Sequence, residues 1–188
     1  IMTVDSEKIL FNQYSAQFLR GMSERMRNSS STSELNDFLQ QRFTFFREAI
    51  RRNGMVRVRK HKIPLVTLNA KNKSSCVTVE IVSPDAPFIV VTIEALMRQL
   101  DLKIISKLHP IIGVELTESK EVEKVFLPQH ELEKYDHLYL EIETEAENET
   151  LKDYETIIAG HMLAIQLVRN HHQNMLRNLE SMIEMIQA

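Results

Sequence analysis

Residues 76–109, CVTVEIVSPDAPFIVVTIEALMRQLDLKIISKLH, leave few options for how this chain folds. Val77, Val79 and Ile81 alternate with Thr78, Glu80 and Val82, the two-residue period of a half-buried strand rich in β-branched side chains. Pro84-Asp85-Ala86-Pro87 ends that strand. A proline suits the first turn of a helix, where its missing N–H would have had no partner. Ile89, Ile93, Leu96, Met97 and Leu100 then share one helical stripe, and Leu102 to His109 returns to extended chain. Strands joined through a helix of this length run parallel, so the segment predicts a βαβ-type crossover.

Upstream, Asp5 or Ser6 is placed to cap a first helix reaching about Asn28, with Phe11, Tyr14, Phe18, Met22 and Met26 on its apolar stripe. After a polar loop, Thr32 or Ser33 followed by Glu34 opens a second helix to about Arg52, with Leu35, Phe38, Leu39, Phe46 and Ile50 inward. Asn53-Gly54 ends it, because glycine tolerates a left-handed helix terminus. Residues 1–54 therefore predict an antiparallel helical hairpin. Residues 55–69 alternate in short runs around Pro64 and read as two short strands at a sheet edge, since proline cannot donate to a ladder.

Downstream, Pro110 interrupts the second strand, which resumes through Ile111 to Leu116. Residues 117–136 are charged and expected to be irregular. Leu138, Leu140 and Ile142 alternate with Tyr139, Glu141 and Glu143, a strand with one wet face. Thr150 with Asp153 resembles a capping pair for a final helix from 151 to about 187, roughly 55 Å long. Its inner stripe holds Leu151, Tyr154, Ile158, Met162, Ile165, Val168, Leu176, Leu179 and Ile183. The distal half outruns a small sheet and needs a partner, either the N-terminal hairpin or another protomer.

A formal net charge of −3 argues against dedicated nucleic-acid binding. The basic cluster Arg51, Arg52, Arg57, Arg59, Lys60 and Lys62 has no aromatic residue interleaved for base stacking. It and the acidic run Glu141, Glu143, Glu145, Glu147, Glu149 and Asp153 read as solvated faces that could steer self-association. The single cysteine, Cys76, cannot form an internal disulfide and reads as a buried structural thiol in a reducing compartment. No apolar run approaches the roughly 20 residues of a membrane span, and no signal peptide opens the chain, so a cytoplasmic protein away from membranes is expected.

The order strand, Asp-x-Pro turn, helix, strand resembles the opening half of an ACT-type regulatory domain. More narrowly, VTVEIVSPDAPF, His109-Pro110 and the later DHLYLEIET resemble the N-terminal region of the very large bacterial NAD-specific glutamate dehydrogenases. RRNGMVRV and the long final helix fit the same pattern, and the resemblance runs over most of residues 30–180. It implies an α+β fold: an ACT-like, ferredoxin-related antiparallel sheet with the N-terminal hairpin (1–54) and an ACT-like domain ending in a long helix (55–188). An ACT unit is βαββαβ, whereas this chain supplies βαββα. Either residues 55–69 take the place of the fourth strand or that strand lies beyond the sequence.

The resemblance places a candidate amino-acid site at Asp85, Ala86, Pro87, Phe88 and Ile89, where amides at a helix start attract a carboxylate. Ligand-binding members carry glycine after Asp-x-Pro. Here Phe88 stands in that place, a bulk that can fill the pocket, so a purely structural turn is the plainer reading. Val91 replaces a carboxylate usual in the family and suggests a contact surface; with Met175, Leu179, Met182, Met185 and Ile186 it forms the candidate interface.

The histidines do not suggest a metal. His171 and His172 point about 100° apart on a helix, His161 and His172 lie near the apolar stripe, His109 marks a strand end, and His130 and His137 lack a partner at ligand spacing. No phosphate-binding or dinucleotide motif occurs, so no cofactor is expected in this chain, and NAD belongs to the catalytic part of the parent enzyme. The expected function is a non-catalytic regulatory and assembly domain whose partners are the rest of the parent chain, further copies and an amino-acid effector. A stand-alone amino-acid sensor is the alternative, and a helical scaffold acting through 170–187 is a third.

Overall fold

The computed structural model describes residues 4–28, 31–60, 76–129 and 133–187. Three helices open the chain: α1 (Val4–Arg20), α2 (Glu24–Asn28) and α3 (Thr32–Arg51). Then come β1 (Met55–Lys60), β2 (Cys76–Pro84), α4 (Ile89–Gln99), β3 (Lys103–Leu108), β4 (Ile111–Leu116), β5 (Val122–Phe126), β6 (Glu133–Glu143) and α5 (Asn148–Gln187). The strands form one antiparallel sheet in the order β1-β2-β6-β4-β5, with β3 also paired to β6. The fold is therefore α+β and ACT-like, as the resemblance implied.

The crossover takes a split form. β2 and β3 run parallel to one another, but β6 lies between them and pairs antiparallel with both. β3 and β4 are two halves of one long strand beside β6, broken at His109-Pro110, where His137 donates its N–H to the Pro110 carbonyl. β1 answers the question of the fourth strand. It pairs along the free edge of β2, from Met55 opposite Val82 to Lys60 opposite Val77. The remainder of 55–69, including Pro64, lies outside the described residues.

Both faces of the sheet are covered by helices, which overturns the half-buried reading of β2 and the wet-face reading of β6. Val77, Val79, Ile81, Leu138, Leu140 and Ile142 pack with Ile89, Ile93, Leu96 and Met97 of α4 and with Leu151, Ile158 and Met162 of α5. On the other face, Val82, Tyr135 and Tyr139 join Leu10, Tyr14 and Phe18 of α1 and Phe38, Phe43, Phe46 and Ile50 of α3. Thr78, Glu80, His137 and Glu141 point to that second face and are buried too. Polar residues spaced at two are the usual mark of a solvated face; here they are paired with one another under the hairpin.

The first helix is not continuous to Asn28: α1 stops at Arg20, and a turn through Gly21 and Met22 leads to α2. α3 is capped by Ser31, one residue earlier than expected, and Ser31 and Glu34 form a reciprocal capping box. Its far end is a Schellman-type turn. The Asn53 N–H donates to Ile50 and the Gly54 N–H to Ala49, with Asn53 at φ 57° and Gly54 at φ 123°. The expected irregular stretch 117–136 carries regular structure over much of its described length: Thr117–Glu121 forms a tight turn, β5 follows paired with β4, and β6 opens at Glu133. Val122 and Val125 are three apart, either side of two exposed charges, so the alternation that marks a strand is lost there.

α5 begins at Asn148 rather than 151 and packs across β1, β2 and α4, on the face opposite the hairpin. The hairpin is therefore not the cover for its distal half. Val168, Leu176 and Leu179 of the expected inner stripe are exposed, while Ile183 lies outside the described side chains.

Candidate functional site

The Asp85–Ile89 turn is held from several sides. The Asp85 N–H donates to the Lys134 carbonyl, and the Asp85 carboxylate lies 3.7 Å from Lys134 Nζ. The Ala86 N–H donates to Asp136 Oδ2, whose other oxygen, Oδ1, lies 2.6 Å from His109 Nε2. His109 is thus more than a strand end: through Asp136 it ties the β3–β4 break to the turn. Burial raises the Asp136 carboxyl, and the His109 contact opposes that shift. Gln166 of α5 donates to the Pro84 carbonyl at 2.9 Å.

Phe88 does not fill a pocket. It is 76% exposed and sits at φ 69°, in the left-handed region that favours glycine, as the N-cap of α4 without a side-chain cap bond. Ala86 and Ile89 are buried beneath the turn, while Pro87 is exposed. With the amides of Asp85 and Ala86 already bonded to β6, the turn is built as a brace.

The buried polar cluster was not anticipated from sequence. Glu80 on β2 lies 2.9 Å from Arg42 Nε of α3, pairs with Arg57 of β1, and accepts from His137 Nε2 at 2.9 Å. Tyr14 of α1 meets His137 Nδ1 at 3.0 Å. His137 stacks on Phe46, and Arg57 lies 4.0 Å over the Phe45 ring. Tyr139 donates to Glu141 at 2.9 Å. Arg57 and Glu141 therefore leave the solvated runs to which spacing had assigned them. Burial works to raise the Glu80 carboxyl, but the His137 bond and the two guanidiniums outweigh it and hold it below the usual range. Burial pushes His137 down despite its Glu80 partner, so the neutral ring donates from Nε2 to Glu80 and accepts the Tyr14 hydroxyl at Nδ1. Neutral histidine between tyrosine and carboxylate completes each group's hydrogen bonding, which a buried cluster requires.

Of the candidate interface residues, Val91 (62%), Met175, Leu179, Met182 and Met185 are exposed, and Ile186 lies outside the described side chains. Val91 on α4 and the distal end of α5 both present exposed apolar side chains. His161 is exposed, with Nδ1 on the Ile157 carbonyl, and His171 and His172 are exposed as well; the apolar-stripe reading of His161 and His172 does not hold. His130 lies outside the described residues. Cys76 is buried, and burial pushes its thiol up to about 12. Among the described residues no cluster of metal-ligating side chains occurs, and no helix is long and apolar enough to cross a membrane.

Comparison with curated proteins and with solved structures gave no match. The family described as glutamate dehydrogenase, ACT1 domain, matches residues 14–157, from α1 through the first turns of α5. That span takes in most of the hairpin, the buried polar cluster and every strand among the described residues, so the chain belongs to the ACT1 domain family of glutamate dehydrogenase and is an N-terminal regulatory domain of such an enzyme.

Proposed function

We propose that this chain is the regulatory and assembly module of an NAD-specific glutamate dehydrogenase. The parent reaction converts L-glutamate, NAD+ and water to 2-oxoglutarate, ammonium and NADH. The catalysis and the NAD site belong to other parts of the parent enzyme. The observation that carries the assembly role is the distal half of α5, where Leu167, Val168, Met175, Leu179, Met182 and Met185 are exposed along one helix that has left the sheet. Val168, Met175 and Met182 recur at seven residues, with Leu179 between them, the spacing of a seam between packed helices. At about 25 cal/mol per Å2, covering such a seam contributes several kcal/mol. Methionine adapts well to a partner's irregular surface.

Sedimentation velocity of the 188-residue chain over micromolar concentrations tests the reading. Self-association is expected, and Leu179→Asp with Met182→Asp is expected to abolish it while the far-ultraviolet circular dichroism and the melting cooperativity stay intact. A monomer at every concentration refutes assembly between copies. The same preparation is expected to give no NADH from glutamate and NAD+, and production above buffer would refute the non-catalytic assignment.

A further inference from the structure

We propose that the hollow bounded by the α3–β1 turn, the ends of β1 and β2, and α5 is a binding site for a small aliphatic carboxylate. Its volume is about 350 Å3, within the roughly 300–1,000 Å3 of small-molecule sites. It is separate from the Asp85 turn, which its rim adjoins at Ser83. The inference extends the regulatory reading, on which it rests only for what a ligand would do to the enzyme.

The walls divide by chemistry. Val56 of β1 and Ile81 of β2, on the sheet face that α5 covers, line the hollow with Met162 and Leu163 of α5 and make its apolar wall. Arg52, Asn53, Ser83 and Gln166 supply polar groups at the edge. The Schellman-type end of α3 puts Arg52 and Asn53 there, because the left-handed turn at Asn53 and Gly54 reverses the chain directly into β1. Gly54 cannot readily be replaced: at φ 123° an L side chain is strained, and an added Cβ would meet the Val82 carbonyl at 3.4 Å.

Arg52 is the group that selects the charge. Its present partner is Glu48, one turn earlier on α3, at 2.8 Å, and Arg52 remains 64% exposed. A surface pair of this kind contributes little, so the guanidinium can exchange Glu48 for a ligand carboxylate at small cost and gain a bidentate contact. Ser83 is buried, and its described hydrogen bond is a long 3.4 Å contact to the Pro84 carbonyl, which leaves its hydroxyl suited to a polar substituent on the ligand. Gln166 is held between the Pro84 carbonyl and Arg169, so a ligand against it would bear on the α5–β2 contact. The ligand chemistry is then a carboxylate on a short branched or linear alkyl chain. A free acid and an amino acid share it.

Isovalerate, L-leucine and isoamylamine separate the sources, read by titration calorimetry and thermal shift on the 188-residue chain. Saturable millimolar binding is expected for isovalerate, and tighter binding of L-leucine identifies the amino acid as the better form. Isoamylamine, with the same tail and the opposite charge, is expected not to bind. At ten times Kd the melting temperature should rise by about 3–6 °C. Arg52→Gln should weaken binding about tenfold, and Glu48→Gln should tighten it about twofold by freeing the guanidinium. Ala159→Phe, at an exposed α5 position lining the hollow, should abolish binding with the melting curve of the free chain retained. No saturable heat from either carboxylate overturns the proposal, as does binding that survives both Arg52→Gln and Ala159→Phe. Sedimentation judges the assembly reading separately, so a failure here leaves that reading standing.

Discussion

Replacing Glu80 by glutamine tests whether the buried cluster holds the two helix layers to the sheet. The glutamine keeps the volume and one carbonyl acceptor, so little packing is lost. What changes is charge. Arg42 is 3% exposed and Glu80 1%, and Arg42 Nε lies 2.9 Å from the carboxylate it would lose. Arg57 loses the same partner. Leaving one member of a buried pair uncompensated costs about 3–5 kcal/mol, a large part of the 5–15 kcal/mol typical of a whole domain. With a urea slope of about 2 kcal/mol per M, the unfolding midpoint should fall by about 1.5–2.5 M at unchanged slope. Glu80→Gln with Arg42→Met removes both charges and should recover at least about 1 kcal/mol of the single-variant loss. A loss below about 1 kcal/mol, or strictly additive effects, would refute the argument.

Three further outcomes follow from the same geometry. Burial holds His137 below its ordinary value, so as pH falls through about 6.5 the unfolded chain takes up a proton that the folded chain refuses, and stability drops. His137→Gln should reduce that slope between pH 7.5 and 5.5 by about 0.7 kcal/mol per pH unit; an unchanged slope in urea titrations would mean that the ring protonates in the fold. Phe88→Gly should stabilise the chain by about 0.5–1 kcal/mol, relief at φ 69° exceeding glycine's extra freedom in the unfolded chain, since an exposed ring surrenders little packing. A lower melting temperature for that variant would place Phe88 in a contact of its own. With its thiol pushed up to about 12, Cys76 should react with a disulfide reagent at pH 8 only as the protein unfolds; labelling within minutes in buffer would contradict its burial.

The sequence by itself determined the elements whose patterns are local. The β2–α4–β3 order, the break at Pro110, the helical stripe through Ile89, Ile93, Leu96 and Met97, and the length of α5 all follow from spacing within a few residues, and the structure has them. The family resemblance rested on the same stretch and is matched over residues 14–157. Tertiary structure decided what depends on residues far apart. Glu80 and Glu141 alternate with aliphatic residues and read as solvent-facing, and His137 carries no structural expectation. Glu80 and His137 are buried because Tyr14, Arg42 and Arg57 reach them from α1, α3 and β1, with Tyr14 and His137 123 positions apart, and Glu141 lies on the same covered face. β1 takes the fourth strand's place because the edge of β2 is free there, which no local period encodes. The hollow beside Arg52 likewise exists only once the turn after α3 and the middle of α5 are brought to the same end of β1 and β2. Periodicity records which side of an element is apolar; whether the polar side meets water or a partner depends on what the rest of the chain brings to it.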